Sequence, residues 1–249
     1  MKSRPRGFAR ALLCSLLLAG CAGGGEPAPT PWDGIVHVHG SLRGMMHEGK
    51  TGAEVRLGTL LPDSTLYAVG ALADLAGEVT VLGGTAWLSH PAGRDSARTE
   101  AVAVSDAGAC LLVTARVGSW QALTTTAPIA FEALDDSIAS LAAAAGMDLE
   151  TRFPFLLEGT FEDLEWHVID GARLTGNETS HLDHLAAAVQ SRRARTPARL
   201  VGFYSRHDER VFTHMGSSTH IHCVLEQPLA AGHVDHVTVP AGTVVMFPD

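Results

Sequence analysis

The sequence is short of cations and contains no long apolar run. Its 249 residues carry 18 Lys and Arg against 27 Asp and Glu, a formal net charge of −9. A chain with this balance lacks the basic face that phosphates require, so no nucleic acid is expected as a partner. None of its apolar runs reaches the ~20 residues of a membrane-spanning helix, which excludes a membrane bundle. The length suits one large core or two small sheet domains in close contact.

The first 20 residues have the organisation of a secretory signal peptide. Four cations precede an uncharged apolar run at 11–18, and the quartet Leu18-Ala19-Gly20-Cys21 resembles a bacterial lipobox, whose cysteine is acylated. We therefore predict a signal peptide at 1–20, a lipidation site at Cys21 and a flexible Gly- and Pro-containing tether at 21–31. The expected location is the outer membrane, facing the periplasm, with the lipid anchor as the only membrane contact.

Cysteine is scarce as well. Of the four cysteines, Cys14 would leave with the signal peptide and Cys21 would be lipidated, so Cys110 and Cys223 remain as thiols. Two cysteines do not make a disulfide framework, and a bond between these two is left open. The sequence also lacks a Gly-X-Ser-X-Gly elbow, which ranks a serine hydrolase last among the candidate functions.

Short β-rich runs dominate the rest of the chain. Most are bounded by Gly, Asp or Pro and predict strands: Ile35 to Val38, Glu78 to Leu82, Ala101 to Val104, Leu111 to Val117, Phe161 to Val168, Leu200 to Tyr204, His220 to Leu225 and His233 to Val239.

Two segments predict amphipathic helices instead. In the first, Asp135 and Asp136 are expected to cap a helix that carries Ile138 and Leu141, and the second runs from His181 to Gln190. We predict a β-rich α+β fold of two adjoining mixed-sheet subdomains with a few short helices. The subdomain boundaries are expected at 32–148 and 149–249, with the metal ligands described next in the second subdomain.

Three histidines near the C-terminus form a candidate metal site. His220 and His222 flank Ile221 in a predicted strand, whose period of two places both imidazoles on one face. His233 starts a second strand beyond a turn-like segment at 227–232, so a hairpin would bring it alongside. Three neutral imidazoles without a fourth protein ligand leave coordination positions open, which is typical of a catalytic rather than a structural zinc.

Several of these residues resemble the acetolactate decarboxylase family. The segments Val201-Gly202-Phe203-Tyr204, His220-Ile221-His222 and Gly232-His233-Val234 are similar to a Gly-Phe strand, a His-X-His pair and a Gly-His-Val segment of that family. The resemblance implies that His220, His222 and His233 hold zinc or another divalent metal. It is most specific at the histidines and extends over roughly residues 33 to 239.

The resemblance also implies two further active-site residues. The segment Leu75-Ala76-Gly77-Glu78-Val79 is similar to the family's Leu-Asp-Gly-Glu segment, which makes Glu78 the expected catalytic carboxylate. Six residues after Phe161, where the family has a catalytic arginine, this chain has His167. An imidazole replaces that cation only when protonated, below about pH 6.5 if its pKa is unperturbed.

Two other departures concern activity. Cys223 follows the second expected ligand where the family has an aromatic residue, and a further active-site glutamate of the family has no counterpart before Asp249. Arg173, Arg206 and Arg210 are considered as carboxylate partners in an altered pocket, although surface charges are the commoner role.

The resemblance implies zinc-dependent decarboxylation of a small 2-hydroxy-3-oxo acid, in particular 2-acetolactate to acetoin. Two alternatives stay open. One is a non-catalytic metal-binding lipoprotein of the same fold, in which His37 and His39 form a second His-X-His pair and His207, His214 and His236 add further nitrogen donors. The other is a related metal-assisted lyase or isomerase. The sequence leaves the oligomeric state, including a homodimer, undecided.

Overall fold

The computed structural model describes Met1 and residues 32–176 and 181–249. The predicted tether at 21–31, the lipidation site Cys21 and all of the predicted signal peptide except Met1 lie outside the described residues. The first sheet contains β1 (Val36–His39), β2 (Val55–Arg56), β3 (Leu66–Leu72), β4 (Glu78–Leu82), β5 (Thr85–Pro91), β6 (Ala97–Val102) and β7 (Gly108–Arg116). The second sheet contains β8 (Trp120–Thr124), β9 (Phe153–Val168), β10 (Val189–Tyr204), β11 (Thr219–Glu226), β12 (Leu229–Thr238) and β13 (Val244–Pro248). The helices are α1 (Leu42–His47), α2 (Leu134–Ala144) and α3 (His181–Ala187).

The first sheet has the strand order β1-β7-β3-β4-β5-β6, with β2 also paired to β7. All five residues of β4 are buried, as expected for a β-branched and apolar run at the centre of a sheet. Gly83 and Gly84, both with positive φ, form the two-residue turn between β4 and β5. Such a turn needs left-handed backbone at both positions, which glycine adopts without strain.

The second sheet closes on itself. It runs β10-β11-β12-β9-β13-β8, and β9 pairs with β10 as well, from Phe153 opposite Tyr204 to Val168 opposite Val189. Strands β9, β10, β11 and β12 therefore form a closed ring, which leaves fewer unpaired strand edges. Helix α2 packs against it through Leu134 and Ile138.

The sequence predicts the helices less well at their ends. Helix α2 carries the predicted apolar residues, but its N-cap is Ala133, so the prediction that Asp135 and Asp136 cap it is wrong. The Asp135 carboxylate instead accepts hydrogen bonds from the Ser218 amide at 2.6 Å and the Thr219 hydroxyl at 2.5 Å. The helix predicted from His181 to Gln190 ends at Ala187 as α3, because Val189 and Gln190 pair with β9 as the start of β10.

The two sheets pack face to face through a shared apolar layer. Val69 and Val113 of the first sheet join Val201, Phe203 and other residues of the second sheet in one buried cluster. The Ser89 hydroxyl of β5 also donates to the Ala231 carbonyl of β12 at 2.7 Å. Strand β4, which lies between β3 and β5, also contacts β11 and β12 of the second sheet.

The predicted β-rich α+β fold of two adjoining sheets with few short helices is confirmed. The sheets are antiparallel rather than mixed, since the named strands pair antiparallel in both. Strand β8 belongs to the second sheet, so the chain passes between sheets before residue 148. Within the described residues, no helix is long and apolar enough to cross a membrane.

Candidate metal centre

Four histidines lie side by side on one face of the second sheet. His222 of β11 is opposite His233 of β12, and His233 is opposite His167 of β9. Directly opposed residues of antiparallel strands share a face, and His220 joins them because it precedes His222 by two residues. The ring centroids of His220 and His233 are 4.9 Å apart, and those of His222 and His233 are 5.5 Å apart.

His220, His222 and His233 have the geometry of a metal-ligand set. One nitrogen from each lies within 4.8 Å of the others, and all three side chains are buried. His220 Nδ1 and His222 Nε2 are buried nitrogens without a hydrogen-bond partner. An unsatisfied buried nitrogen is costly unless a ligand occupies its lone pair. The three residues therefore fit a divalent metal, and the prediction that His233 lies beside the His-X-His pair is confirmed.

The pKa values of the three imidazoles favour the neutral form that binds metals. Burial, with the charge of His167, lowers the pKa of His220 to about 4. Burial and the neighbouring histidines hold the pKa values of His222 and His233 well below the usual range. Near neutral pH the ligand nitrogens thus carry free lone pairs.

Thr80 of the first sheet orients His222. The Thr80 hydroxyl lies 2.9 Å from His222 Nδ1, and both side chains are fully buried. When Nδ1 carries the proton and donates to Thr80, Nε2 keeps the lone pair that a metal requires. Such a partner fixes the tautomer and the ring orientation of a ligating histidine.

Glu78, the predicted catalytic carboxylate, reaches the histidines from the first sheet. It starts β4 and shares a strand face with Thr80, and its two oxygens lie 3.8 Å from His222 Nε2 and 3.9 Å from His167 Nε2. Burial raises the pKa of Glu78 to about 7, against the opposing effects of His167 and of the hydrogen bond from the Ile169 amide. A carboxyl group with this pKa is able to donate a proton at neutral pH.

His167 lies in the same pocket, held by Asp235. Its Nδ1 is 2.8 Å from the Asp235 carboxylate, and its ring centroid is 4.9 Å from that of His233. Burial lowers the pKa of His167, but the hydrogen bond and charge of Asp235, together with Glu78, outweigh this effect and raise it. The β9–β12 register shifts between Val234 and His236, an irregularity of the kind that redirects a side chain next to a site.

Two glycines allow the close approach of the strands that carry these residues. A Cβ on Gly77, which has φ +138° and precedes Glu78, would lie 1.9 Å from the Ser89 carbonyl oxygen. A Cβ on Gly232, which precedes His233, would lie 2.4 Å from the His167 carbonyl oxygen. Both distances are far below van der Waals contact, so only glycine fits at either position.

The candidate site opens into a cavity of about 50 Å³. Its apolar wall includes Leu42 and Met45 of helix α1. Its polar wall consists of Glu78, His167, His184, His214, His220 and His233. His184 was not predicted, and His214 was named only as a further nitrogen donor of the metal-binding alternative. Nothing local in the sequence places helix α3 or the segment 205–218 beside the metal ligands.

The arginines considered from the sequence do not line this cavity. Arg206 pairs with Glu150 at 2.8 Å, Arg210 hydrogen bonds the Met215 sulfur at 2.7 Å, and Arg173 donates to the Arg94 and Ala186 carbonyls. His37 and His39 lie on β1 opposite Thr114 and Leu112, and across residues 32–176 and 181–249 only the His220 group has metal-ligand spacing.

Cys110 and Cys223 are buried free thiols, so the disulfide left open from the sequence is absent. Burial, followed by the charge of Glu78, raises the pKa of Cys110 to about 11, and burial likewise raises the pKa of Cys223. Both sulfurs therefore stay protonated and unreactive near neutral pH.

Comparison with solved structures identifies the fold. Acetolactate decarboxylase from Bacillus subtilis strain 168 matches with a TM-score of 0.66 at 12% identity, over 86% of this chain and 85% of that chain. This chain shares the acetolactate decarboxylase fold. The enzyme from Bacillus subtilis subspecies spizizenii matches with a TM-score of 0.65 at 12% identity, over 86% of both chains.

A third match is a Staphylococcus aureus protein of unknown function, described as similar to alpha-acetolactate decarboxylase. Its TM-score is 0.62 at 16% identity, over 86% of this chain and 84% of that chain. No protein-family model and no curated protein sequence matches the chain. The likeness is therefore one of fold at low sequence identity.

Proposed function

We propose that this chain is a zinc-dependent decarboxylase that converts a small 2-hydroxy-3-oxo acid, 2-acetolactate, to acetoin. The observation that carries the proposal is the convergence of three buried imidazoles within 4.8 Å, beside a buried carboxyl group, in an acetolactate decarboxylase fold. His220, His222 and His233 would hold the metal. Once bound, the metal would supply positive charge to the carbonyl oxygen that becomes negative as carbon dioxide leaves.

The other residues would orient the substrate and move a proton. Breaking the bond between C2 and the carboxylate leaves its electron pair on a singly charged enolate, which must gain one proton at C2 to become acetoin. Glu78 is the proposed donor, because its buried carboxyl group lies 3.8 Å from His222 Nε2 and 3.9 Å from His167 Nε2, beside the proposed metal ligands. His167, whose Nε2 faces Glu78, is the proposed catalytic partner that exchanges the proton with it.

The direct test is to incubate the zinc-loaded soluble domain, residues 32–249, with racemic 2-acetolactate and to quantify acetoin. We expect consumption of one enantiomer and release of equimolar acetoin and carbon dioxide. Full metal occupancy without acetoin would overturn the proposed activity.

A second candidate is a non-catalytic metal-binding protein with this fold. It is favoured by the lack of Lys and Arg in the cavity lining, within the described residues, where an enzyme acting on an acid needs an anion partner. Stoichiometric metal binding without turnover of 2-acetolactate or of related hydroxy-keto acids would support this candidate.

We also propose that the chain is exported and anchored to the outer membrane through Cys21. The support is the order of cations, apolar run, small residues and cysteine at 1–21. Cell fractionation should find the wild type with membranes and the Cys21→Ser variant in the soluble fraction. Unchanged membrane association of the variant would contradict the anchor.

A further inference from the structure

Three polar residues form a row across the first sheet. Glu78 of β4 is opposite Ser89 of β5, and Ser89 is opposite Thr99 of β6. Directly opposed residues of antiparallel strands share a face, and their Cβ atoms are roughly 5 Å apart. Since Glu78 reaches the second sheet from this row, the side chains of Ser89 and Thr99 face the second sheet as well.

Ser89 and Thr99 form a triangle of hydrogen bonds with the backbone of Ala231. The Ser89 hydroxyl donates to the Ala231 carbonyl at 2.7 Å, and the Ala231 amide donates to the Thr99 hydroxyl oxygen at 3.3 Å. The two hydroxyl oxygens are 2.8 Å apart. A hydroxyl group has one proton, and that of Ser89 goes to the carbonyl, so Thr99 must donate to Ser89. The three bonds of this hydrogen-bond triangle therefore run in one direction and use every proton in it.

Ala231 lies on the strand that carries a metal ligand. It precedes His233 by two residues on β12, which corresponds to about 7 Å along a strand. Strand β12 pairs with β9 from His233 onward, and before that point Ala231 turns its N–H and C=O to the first sheet. Ala231 is 1% exposed and Ser89 is fully buried, so a lost partner would leave a buried polar group unsatisfied. The triangle thus attaches β12 to the first sheet close to the ligand set.

The hydrogen-bond triangle fixes what the apolar layer between the sheets leaves open. Burial of apolar side chains is not directional, so it does not by itself set the exact position of one sheet on the other. A hydrogen bond weakens steeply once its angle departs from the optimum. Ala231 belongs both to the apolar layer and to the triangle, so the triangle sets where β12 lies on the first sheet. The approach of Glu78 and Thr80 to His222 depends on the same placement, because it also joins the first sheet to the β11–β12 hairpin.

We propose that Ser89 and Thr99 are positioning residues, which hold β12 where β4 reaches the histidines of the second sheet. The inference rests on the metal site of the proposed function. Neither side chain lines the cavity, so both act through β12 rather than on a ligand. Thr80 provides the means to detect this action, because its hydroxyl orients His222 and so contributes to zinc affinity.

The test is a double-mutant cycle on zinc affinity, measured by competition with a chromophoric chelator. Thr99→Val keeps the shape of the side chain but removes the hydroxyl that bonds Ser89 and the Ala231 amide. We expect zinc affinity to fall by about 3- to 30-fold, because the Thr80 hydroxyl then meets His222 less well. In a Thr80→Val background, where that hydroxyl is already absent, Thr99→Val should change zinc affinity by less than about 2-fold.

Three further variants separate positioning from general stability. Thr99→Ser keeps the hydroxyl and should recover most of the zinc affinity. Thr125→Val removes a comparable hydroxyl outside the cavity, which donates to the Pro240 carbonyl at 2.8 Å and accepts from the Thr243 amide at 3.0 Å. It should leave zinc affinity unchanged. If Thr99→Val does not fold, Ser89→Ala, which removes another bond of the triangle, takes its place in the same cycle.

Turnover of 2-acetolactate provides a second measurement. At saturating zinc, Thr99→Val should lower kcat by about 10- to 100-fold, because Glu78 is displaced from the ligand set. KM should stay within about 2-fold, since proton donation rather than substrate binding is impaired. An unchanged kcat, with the wild type active, would contradict the placement of Glu78 by the pair.

The outcomes separate the positioning residues from the proposed reaction. The proposal would be overturned if Thr99→Val bound zinc like the wild type, if its loss were as large in the Thr80→Val background or in Thr125→Val, or if Thr99→Ser recovered nothing. The expected coupling in zinc affinity without formation of acetoin would refute the decarboxylase and leave the positioning role in place. A wild type that binds no zinc would overturn the metal site and the positioning role together.

Discussion

The two sheets contribute different kinds of residue to the candidate site. The second sheet supplies the metal-ligand set and His167 from three adjacent strands, whereas the first sheet supplies Glu78 and Thr80 from β4 alone. Metal ligands must keep mutual distances within tenths of an ångström, which neighbouring hydrogen-bonded strands secure. Glu78 and Thr80 only have to approach the histidines from one side, and the packing of one sheet on the other is sufficient to place them there.

The largest expected effect is loss of metal when the second sheet loses a ligand. We predict that His233→Ala lowers zinc affinity by more than about 100-fold, beyond the range of changes outside the ligand set. Metal content after dialysis measures it. His236→Ala, which removes a neighbouring histidine packed against Phe131, should retain zinc. Full zinc occupancy in His233→Ala would exclude His233 as a ligand.

The next effect separates chemistry from metal binding in the first sheet. Glu78→Gln is nearly the same size but cannot donate the required proton, so we expect turnover of 2-acetolactate to fall by about 10²- to 10⁴-fold. Zinc content should stay unchanged, because Glu78 does not belong to the ligand set of His220, His222 and His233. Undiminished turnover would remove Glu78 from the mechanism.

A smaller effect is expected for Thr80, and it shows whether the first sheet contributes to metal affinity. Thr80→Val keeps the shape of the side chain but removes the hydroxyl 2.9 Å from His222 Nδ1. We expect zinc affinity to fall by about 10- to 100-fold, whereas Thr80→Ser should recover much of the loss. Competition with a chromophoric chelator provides the measurement.

The matched control for Thr80 is Thr114→Val on β7. Thr114 is also buried in the first sheet, but it lies opposite His37 and Ala68 rather than the metal set. Its substitution should leave zinc affinity unchanged. An equal effect of the two valine variants would show that Thr80 acts only through general packing.

The smallest expected effect is acid sensitivity of the segment 205–218 of the second sheet. Burial opposes ionisation of Asp208, but hydrogen bonds from Arg152 and Ser205 outweigh it and hold its pKa below the usual value. A carboxyl group whose pKa is lower in the folded state increases the free energy of unfolding at pH values above its unfolded-state pKa of about 4. This contribution is lost as the pH falls through the folded-state pKa.

Urea unfolding curves recorded from pH 6 to pH 2.5 should therefore show declining stability below about pH 4. The decline should be shallower in Asp208→Asn, which is less stable than the wild type at pH 6 but cannot titrate at this position. Identical slopes for the two proteins would contradict the role of Asp208.

The sequence predicts the second sheet's part of the site better than the first sheet's. His220 and His222 share a strand face by the period of two, and the predicted hairpin brings His233 opposite His222. The turn is shorter than the predicted 227–232, since the second strand already begins at Leu229. This information is local. The position of Glu78 comes from the family resemblance alone, because its distance from His222 depends on how two sheets pack.

The residues missed have the same physical cause. Thr80 meets His222 across 142 residues of sequence, and no local pattern encodes that contact. The sequence does contain one indication that Thr80 and Asp235 lie near the site. Thr80 follows Glu78 by two residues on β4, and Asp235 follows His233 by two residues on β12. His184 and His214 have no such indication in the sequence. The expected helix cap at Asp135 is wrong because the Asp135 carboxylate accepts a tertiary hydrogen bond from the Thr219 hydroxyl instead.

The closed ring of the second sheet has a consequence for the order in which function would be lost. All three clustered imidazoles fall within residues 220–233 on a single hairpin, whereas Glu78 must be brought from far upstream by the apolar layer between the sheets. Partial separation of the sheets would therefore move Glu78 away from the histidines before the three imidazoles moved apart. Under the proposed function, catalysis would then be lost while the three imidazoles still lay together on their hairpin.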